Sequence, residues 1–406
     1  MSEWKQCKLG DIANVQTGPF GSQLHSADYV QIGIPSIMPT NIGSRLEIVR
    51  NNIACISDDD AQRLNKYLVK EGDIVYSRRG DVEKCAFITK YESGWLCGTG
   101  CLRIRFNTDS VLPQFYAYYL STDEIKGWVS GNAVGTTMPN LNTTILSRLP
   151  LTLPTLNEQK AIAAVLSSLD DKIDLLHRQN KTLEAMAETL FRQWFIEEAQ
   201  EDWQFVELGN YVNCVNGVSY KSDDLNASTT AMVTLKSFDR GGGFRLDGFK
   251  EFTGRYKDQH VVIQGDLIVA HTDITQNAEV IGNPVLVISD PLYETLVISM
   301  DLVKVTSKYE WLSNEFLYRM MRTREFKQHC LGFSNGSTVL HLSKNAIPTY
   351  EFLLPPQEKI KEFTKLTKHV LAKKYENITQ TRTLEKLRDT LLPKLMSGEV
   401  RVKLTT

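Results

Sequence analysis

Apolar residues recur in a regular rhythm through residues 157–195, in the middle of the chain. Steps that alternate between four and three residues are typical of a coiled-coil seam, because they return each side chain to one face of a helix. The predicted seam residues are Ile162, Leu166, Leu169, Ile173, Leu176, Asn180, Leu183, Ala187, Leu190 and Trp194. Thr155 and Glu158 form a candidate capping box at the start of this helix. Asn180 either fixes the pairing register at a cost in stability or faces a gap in the packing.

A second, less regular helix is predicted between Pro355-Pro356 and Ser397-Gly398. Its apolar positions keep three-four spacing but slip in register: Phe363, Leu366, Val370, Leu371, Tyr375, Ile378, Leu384, Leu387 and Leu391. Pro393 should kink or end this helix near its last turn, because proline has no amide hydrogen to donate.

The two helical segments carry opposite charge. Residues 151–202 have five basic and ten acidic side chains, a net −5, whereas residues 351–406 have twelve basic and seven acidic, a net +5. Partner helices show such complementarity, but two unrelated solvated faces are equally compatible with it.

The chain repeats itself at an offset of about 200 residues. WKQCKLGDIANVQTG near the start is echoed by WQFVELGNYVNCVNG from Trp203, and VKEGDIVYSRRG (69–80) by VIQGDLIVAHTD (262–273). LTLPTLNEQKAI (151–162) is likewise echoed by FLLPPQEKIKEF (352–363). Each half therefore predicts one globular domain followed by one long helix. A pseudo-twofold relation between the halves would make the two helices antiparallel neighbours.

Within each half, short β-rich runs precede a helical segment, for example Leu112 to Ile125 in the first half. This order predicts an α+β fold, with two tandem α/β domains joined by two long antiparallel coiled-coil helices. The predicted boundaries are 1–150 and 201–352 for the domains, and 151–200 and 353–406 for the helices. Ile162 to Trp194 would span about 50 Å, so the helices can act as a spacer.

The composition is that of an ordinary globular protein, with 42% apolar residues, 23% charged residues and a net charge of −2. No run approaches the roughly 20 apolar residues that span a bilayer, and the N-terminus lacks the apolar core of a signal peptide. Seven cysteines, an odd number, fit free thiols in a reducing compartment. We expect a cytoplasmic protein without membrane association.

Catalytic and metal-binding motifs are sparse. Cys97 and Cys101 are the one close cysteine pair in the sequence, and no second pair or histidine cluster completes a zinc site. The sequence has no GxGxxG, Walker, GxSxG or amino-methyltransferase motif. DVEK (81–84) has the residue types of metal-dependent nucleases but no obvious preceding carboxylate partner. We expect no metal, no cofactor and no catalysis in this chain.

Three groups of residues closely resemble the specificity subunit of type I restriction-modification systems, and the resemblance covers the whole chain. They are GPFGSQL (18–24), GDIVYSRRG (72–80) with GDLIVAHTD, and the long segment 149–195. The resemblance implies two target recognition domains, each reading one half of a bipartite, asymmetric site in double-stranded DNA. It also implies helices that set the spacer, equivalent to roughly one to one and a half turns of B-DNA, and that dock two methyltransferase subunits.

In such a complex, restriction subunits join the methyltransferase core. S-adenosylmethionine, ATP and Mg²⁺ are expected on the partner subunits rather than on this chain. The second half departs from the first, since Asp273 stands where the first half has Gly80, and NGVSYKS (216–222) replaces TGPFGSQ.

A buried strand is predicted after each Gly-Asp pair. The residues at the end of that strand are candidate DNA contacts, because we expect their side chains to be exposed at the surface. They are Ser77, Arg78 and Arg79 in the first half, and Ala270, His271 and Thr272 in the second; Asp273 is a further candidate DNA contact. Arginine suits guanine or a phosphate, and threonine or histidine can serve other base edges. Phosphate or positioning contacts are assigned to Ser22, Gln23, Lys84 and Lys221. An ordinary solvated loop is the alternative for each.

No domain shows a strongly basic face, so we expect tight DNA binding to need the methyltransferase subunits. Two functions of other classes stay open. One is a DNA-modifying enzyme that acts alone, against which the missing cofactor motifs count. The other is a coiled-coil scaffold without a role in nucleic-acid binding, which predicts no sequence-selective retention of DNA. A related system whose partner fuses methyltransferase and nuclease is also compatible with the sequence.

Overall fold

Short strands and two very long helices make up the computed structural model, which describes residues 4–135, 138–240, 242–275, 277–336 and 338–403. The chain forms two compact units: one comprises Met1–Leu175 and Thr381–Thr406, and the other Leu176–Gln380. The sequence boundaries assign each long helix to a segment of its own. In the structure, each unit instead contains one globular part and a portion of both long helices.

The globular part of the first unit contains two four-stranded sheets and a two-stranded ribbon. Its strands are β1 (Lys5–Lys8), β2 (Ala13–Thr17), β3 (Tyr29–Val30), β4 (Ile34–Ile37), β5 (Ala54–Ile56), β6 (Ile74–Ser77), β7 (Cys85–Phe87), β8 (Leu96–Cys97), β9 (Cys101–Phe106) and β10 (Pro150–Leu153). Its helices are α1 (Leu9–Ile12), α2 (Asp58–Arg63), α3 (Pro113–Leu120), α4 (Asp123–Asn132) and α5 (Thr143–Ser147). One sheet has the order β2-β9-β6-β7 and is antiparallel throughout. The other has the order β3-β5-β4-β8, with β4 and β8 parallel, and β1 pairs with β10.

The main core of this unit lies between the sheet of β2, β9, β6 and β7 and helices α3 and α4. Phe115 and Tyr116 of α3 are fully buried there. The single helical segment predicted over Leu112 to Ile125 is in fact two helices. The break occurs because Thr122 has an extended backbone (φ −69°, ψ 151°) and serves as the N-cap residue of α4.

The first long helix, α6, spans Leu156–Arg192 and continues into a π-helical turn, Gln193–Glu197. The predicted capping box is present at its start. The Thr155 amide donates to Glu158 Oε2 at 3.0 Å, and the Glu158 amide donates to Thr155 Oγ1 at 3.4 Å. These bonds satisfy amide groups that the first helical turn leaves without partners.

The second unit repeats the arrangement of the first. Its strands are β11 (Gln204–Glu207), β12 (Val212–Asn216), β13 (Thr230–Val233), β14 (Lys250–Glu251), β15 (Val261–Val262), β16 (Leu267–Ala270), β17 (Thr272–Asp273), β18 (Pro284–Leu286), β19 (Thr295–Ile298), β20 (Leu302–Ser307), β21 (Ser334–Asn335), β22 (Leu340–Leu342) and β23 (Glu351–Leu354). Its helices are α7 (Asn314–Met321), α8 (Arg324–Gly332) and α9 (Gln357–Met396), the last of which ends in the first unit. The sheet orders are β12-β20-β16-β18, β14-β13-β19-β15 and β17-β22-β21, and β11 pairs with β23.

Aromatic residues dominate the junction between the second globular part and its helices. Phe195 lies with its ring centroid 5.0 Å from that of Phe316 on α7 and 5.2 Å from that of Phe363 on α9. Phe191 packs against the same two rings at 5.6 and 5.8 Å. This cluster attaches the globular part firmly to both helices of its unit.

The repeated Gly-Asp pair is a structural turn, and it explains why this motif occurs in both halves. Gly72 has a φ of +87°, a conformation that favours glycine. The buried Asp73 pairs with Arg105 of β9 at 2.5 Å, and the equivalent Asp266 pairs with Lys304 of β20 at 2.8 Å. Each carboxylate thus ties the turn before a central strand to the neighbouring strand.

The second long helix, α9, tolerates Pro393 inside its last turn and ends at Met396. Gly398, with a φ of +75°, follows it in the left-handed conformation common just beyond helix ends. The helix therefore continues through Pro393 and ends within one turn of it.

The long helices run antiparallel in the first unit. Arg388 of α9 donates to Asp170 of α6 at 3.0 Å. Arg401, beyond the end of α9, donates to Glu158 at the start of α6 at 2.7 Å. The partner's residue number falls as the α6 number rises, which is the signature of antiparallel pairing.

The same pairing holds in the second unit. Glu184 of α6 pairs with Lys374 of α9 at 2.7 Å, and Asn377 donates to Asn180 at 3.0 Å. In both units the acidic partner belongs to α6 and the basic partner to α9. The opposite net charges are therefore carried by paired helices, and the alternative of two unrelated solvated faces is wrong. Asn180 has a hydrogen-bond partner on the opposite helix rather than a gap.

Burial along the two helices follows continuous seams. Every predicted seam residue of α6 is buried or half-buried. Part of the buried or half-buried surface of α9 follows steps of three and four: Ile360, Phe363, Thr367, Val370, Lys374, Asn377, Thr381, Leu384, Arg388, Leu391 and Leu395. Leu371, Tyr375 and Ile378 are half-buried beside this series. Polar residues occupy five of the positions in this series. Leu366 and Leu387, predicted as packing residues, are exposed.

Candidate nucleic-acid interface

Strand β6 brings the first candidate, Ser77, to the end of a buried strand. Ser77 is itself buried, and its hydroxyl donates to the Arg79 carbonyl at 3.1 Å. Its amide donates to the Lys84 carbonyl at 2.9 Å. The prediction that Ser77 reaches an exposed mouth is wrong, because the strand pairing extends to this residue. Ser77 shapes the following turn instead.

Arg78 and Arg79 lie in that turn and differ in how they are held. The Arg78 amide donates to the Gly100 carbonyl at 2.8 Å, and its Nε donates to the Leu141 carbonyl at 3.2 Å. Its guanidinium lies 5.9 Å from the ring centroid of Phe20. Burial and the charge of Arg79 lower the pKa of Arg78, although an arginine stays charged in proteins. Arg79 is exposed, and its side chain has no hydrogen bond or ion pair among residues 4–135 or the other described ranges.

The four residues predicted to make phosphate or positioning contacts differ in their exposure and in their bonding partners. Ser22 and Lys221 are exposed. Gln23 is held in the structure, since its Oε1 accepts from the Tyr67 hydroxyl at 2.6 Å. Lys84 forms an ion pair with the carboxylate three residues before it, at 3.1 Å. Ser22 and Lys221 thus remain free to meet a phosphate, whereas Gln23 and Lys84 already have partners.

In the second unit, Thr272 and Asp273 form strand β17 and are buried. The Asp273 carboxylate accepts the amides of Thr275 at 2.7 Å, Val280 at 2.6 Å and Ile281 at 2.8 Å. Burial raises the pKa of Asp273, but these hydrogen bonds outweigh it and lower the pKa overall. The prediction that Thr272 and Asp273 face an exposed mouth is wrong, because both belong to a paired strand. Asp273 fixes the loop that follows it.

His271 stands where the first unit has Arg78. The Leu342 amide donates to the His271 carbonyl at 2.8 Å, as the Leu141 amide does to Arg78 at 2.9 Å. Burial lowers the pKa of His271, and the nearby His341 and Lys344 add to this effect while Asp301 opposes it. The His271 Nε2 atom is buried and has no hydrogen-bond partner within the described part of the chain. The two units therefore present different chemistry at equivalent positions, with Ala270 buried behind His271.

Sequence reasoning missed the apolar residues at the same loops. Phe20 and Met138 in the first unit and Ile274 in the second are large, apolar and exposed. His341 on β22 is also exposed, opposite Thr272. The sequence neighbours of Phe20, Met138 and Ile274 are glycine, proline and polar residues. Such residues predict turns, but they do not predict which side chain a turn exposes to solvent.

The described residues contain no group of three or more His, Cys, Asp or Glu side chains that could hold a metal ion. Cys97 and Cys101 are buried, free thiols. Burial raises the pKa of the Cys97 thiol to about 12, so this thiol is protonated at neutral pH. Among the described helices, none has the length and apolar character that a membrane span needs.

Comparison with known families supports the resemblance in the sequence. Residues 1–185 match the family described as "Type I restriction modification DNA specificity domain". The type I restriction enzyme HindI specificity subunit of Haemophilus influenzae is 23% identical over 98% of this chain and 100% of that protein. The putative type I restriction enzyme MjaX specificity subunit of Methanocaldococcus jannaschii is 25% identical over 99% of this chain and 94% of that protein.

A solved structure has the same fold. The type I restriction-modification system S subunit from M. genitalium superposes with a TM-score of 0.61 and 16% identity, over 99% of this chain and 97% of that one. This match confirms the predicted fold class, with two domains and long antiparallel helices.

Proposed function

We propose that each globular part reads one half of a bipartite, asymmetric DNA site, because residues 1–185 match the type I restriction-modification DNA specificity domain family and the whole chain is similar to type I specificity subunits. The chain itself is a non-catalytic specificity subunit, as its family is. Its partners are double-stranded DNA and the methyltransferase and restriction subunits of the same system, acting together in the cytoplasm.

The proposal rests on two equivalent loops, one in each unit, which carry side chains of different chemical types. In the first unit the loop presents the fixed Arg78 and the free Arg79. In the second unit the equivalent position is His271, with His341 exposed beside it. Arginine pairs with guanine acceptors or phosphates, whereas a neutral histidine can donate one hydrogen bond and accept another. Two such loops suit two unlike half-sites.

We assign direct DNA contact to Arg78, Arg79 and His271, and phosphate contact to Ser22 and Lys221. The buried residues Ser77, Thr272 and Asp273, together with the partnered Gln23 and Lys84, are assigned to holding the loops in place. Rigid support of this kind improves recognition because the loop loses less conformational freedom when DNA binds.

The long helices are proposed to set the number of base pairs between the half-sites and to dock the methyltransferase subunits. Two subunits would suit the internal repeat, because each unit offers an equivalent helix pair. The reaction's S-adenosylmethionine, ATP and Mg²⁺ would be bound by those partners. Because residues 1–150 carry no net charge and residues 203–350 carry a net −2, the partners are also expected to supply phosphate contacts that tighten DNA binding.

Methylome sequencing tests this proposal. Cells that express this chain with a methyltransferase subunit of the same system are compared with cells that express that methyltransferase alone. A split, asymmetric methylated motif that appears only with this chain is the expected result. If the complex assembles but no new motif appears, the specificity function is wrong, and a scaffold without DNA readout becomes the better account.

A further inference from the structure

Each unit exposes large apolar side chains near its candidate DNA contacts. In the first unit, Phe20 and Met138 are 55% and 64% exposed. In the second unit, Ile274 is 74% exposed. Solvent exposure of such side chains is unfavourable, because their apolar area remains in water. These positions are not equivalent in the repeat, but in each unit they lie close in sequence or in backbone pairing to the candidate DNA contacts.

Phe20 is held out by its surroundings. The next residue, Gly21, has a φ of +62°, which directs the chain sharply away after Phe20. The preceding residue, Pro19, accepts a hydrogen bond from the Thr99 hydroxyl at 2.9 Å. The Arg78 guanidinium lies over the ring at 5.9 Å. The Thr99 hydrogen bond thus holds the backbone before Phe20, and the Arg78 guanidinium lies over the ring, while 55% of the side chain remains exposed.

Met138 reaches the same loop from another part of the chain. The carbonyl of the next residue, Pro139, accepts the Gly80 amide at 3.2 Å, which joins this segment to the turn containing Arg79. Val134 and Asn140 exchange two backbone hydrogen bonds of 3.0 and 2.9 Å around it. Met138 therefore belongs to a segment whose backbone is hydrogen-bonded to the turn that contains Arg79.

Ile274 is positioned by the buried Asp273 directly before it. The Asp273 carboxylate accepts three backbone amide hydrogen bonds, from Thr275, Val280 and Ile281. Ile274 directly follows β17, which pairs through Thr272 with His341 of β22. The exposed Ile274 side chain thus directly follows a residue whose carboxylate is held by three backbone amides.

DNA is the occupant that the surroundings favour. In the first unit, the Arg78 guanidinium lies 5.9 Å from the exposed Phe20 ring, and the next residue, Arg79, has no ion-pair partner in the described structure. A protein surface that binds an apolar partner would lose free energy by desolvating those charges, whereas phosphates would neutralise them. Proteins that distort DNA commonly insert an apolar side chain between base pairs and flank it with cations that bind the backbone.

We propose that Phe20 with Met138, and separately Ile274, act as wedges that enter the base stack of their half-sites and unstack one base step. This inference rests on the proposed DNA-reading function and adds a way of distorting DNA to it. Methyltransferases act on a base that is rotated out of the duplex. A wedge in each half-site would lower the cost of that rotation for the methyltransferase bound there.

Fluorescence of 2-aminopurine, which rises when the base loses its stacking neighbours, tests the wedge. The probe replaces single bases of each half-site, leaving out the base that becomes methylated. The chain is assembled with its methyltransferase subunits in the absence of S-adenosylmethionine. Four variants are compared with the native chain: Phe20→Ala, Phe20→Leu, Ile274→Ala and, as a control, Ile32→Ala. Ile32 is 93% exposed in the first unit and has no assigned role.

The native complex should show a several-fold rise at one step in each half-site. Phe20→Ala should abolish the rise in the first half-site alone, Phe20→Leu should retain most of it, and Ile274→Ala should abolish the rise in the second half-site alone. Ile32→Ala should change neither. All replaced side chains are exposed, so the variants should fold, and electrophoretic mobility shifts measure whether they still bind the site.

The wedge is wrong if Phe20→Ala and Ile274→Ala complexes bind the site and retain the native fluorescence. It is also wrong if replacing thymine by uracil weakens binding while no probe brightens, since that result means the apolar side chains contact thymine methyl groups in the groove. Absence of sequence-selective binding by the native complex is a different outcome, which refutes the DNA-reading function itself and the wedge with it.

Discussion

Glu184 is the residue whose loss should most weaken the pairing of the long helices. Its Oε1 atom accepts from Arg319 of α7 at 2.7 Å and from the Tyr318 hydroxyl at 3.1 Å. Its Oε2 atom accepts from Lys374 of α9 at 2.7 Å. Arg319 is only 9% exposed. The substitution Glu184→Gln removes the negative charge, nearly preserves the shape, and leaves two cations without their counter-ion.

The size of the loss follows from the pKa. Burial raises the pKa of Glu184, but the charges of Arg319 and Lys374 outweigh burial and lower it from 4.5 to about 2. This difference corresponds to about 3 kcal/mol of stability at neutral pH. Removing one partner of a buried ion pair costs about 3–5 kcal/mol in other proteins. We therefore expect Glu184→Gln to lower the free energy of unfolding by about 3 kcal/mol at pH 7.

The loss should depend on pH. The folded pKa lies below the unfolded value, so the contribution is present above about pH 4.5 and is lost as the pH falls toward 2. At pH 3, Glu184→Gln should lower the free energy of unfolding by only about 1.5 kcal/mol relative to the native chain.

Urea unfolding followed by far-ultraviolet circular dichroism measures this difference at pH 7 and pH 3. Glu376→Gln is the matched control, because Glu376 pairs with Lys373 on the exposed surface of α9 and should contribute less than about 1 kcal/mol. The reasoning is refuted if Glu184→Gln is as stable as the control at pH 7, or if its deficit is the same at pH 3.

Three further predictions concern reading, register and spacing. Arg79→Ala should reduce discrimination at the first half-site by about 10- to 100-fold and leave the second half-site unchanged, as measured by competition with single-base variants; equal loss at both would contradict the assignment. Asn180→Ala should cost about 1 kcal/mol of unfolding free energy, whereas Asn180→Leu with Asn377→Leu should be neutral or stabilising; a double variant less stable than the single one would refute the seam pairing. Deleting residues 176–182 and 376–382 together removes about 10 Å from each helix and should shorten the methylated motif's spacer by about three base pairs; altered bases at an unaltered spacing would contradict the spacer role.

The helices could be predicted largely from their pattern. The seam of α6 is correct at each residue because apolar side chains fill almost all of it. The seam of α9 could not be found in the same way, because Thr367, Lys374, Asn377, Thr381 and Arg388 take seam positions. Polar residues at a seam are stable only when the opposite helix supplies a partner, and that partner cannot be read from one helix alone.

The candidate interface was predicted less completely. The sequence predicted that both candidate loops follow a Gly-Asp pair and a buried strand, and the structure has this order. It placed Ser77, Thr272 and Asp273 on the surface, since the point where strand pairing ends depends on residues distant in the chain, such as His341 opposite Thr272. It also passed over Phe20, whose exposure depends on the backbone conformation of the glycine beside it.

The central claim is that each globular part reads its own half-site, and a domain exchange tests it most directly. Residues 1–150 are replaced by the corresponding part of a specificity subunit that directs methylation to another sequence, and the methylome is sequenced with the same methyltransferase. The account predicts a motif in which one half is new, while the other half and the spacer length are retained. Simultaneous change of both halves, or an unchanged motif in a complex that assembles, would contradict it.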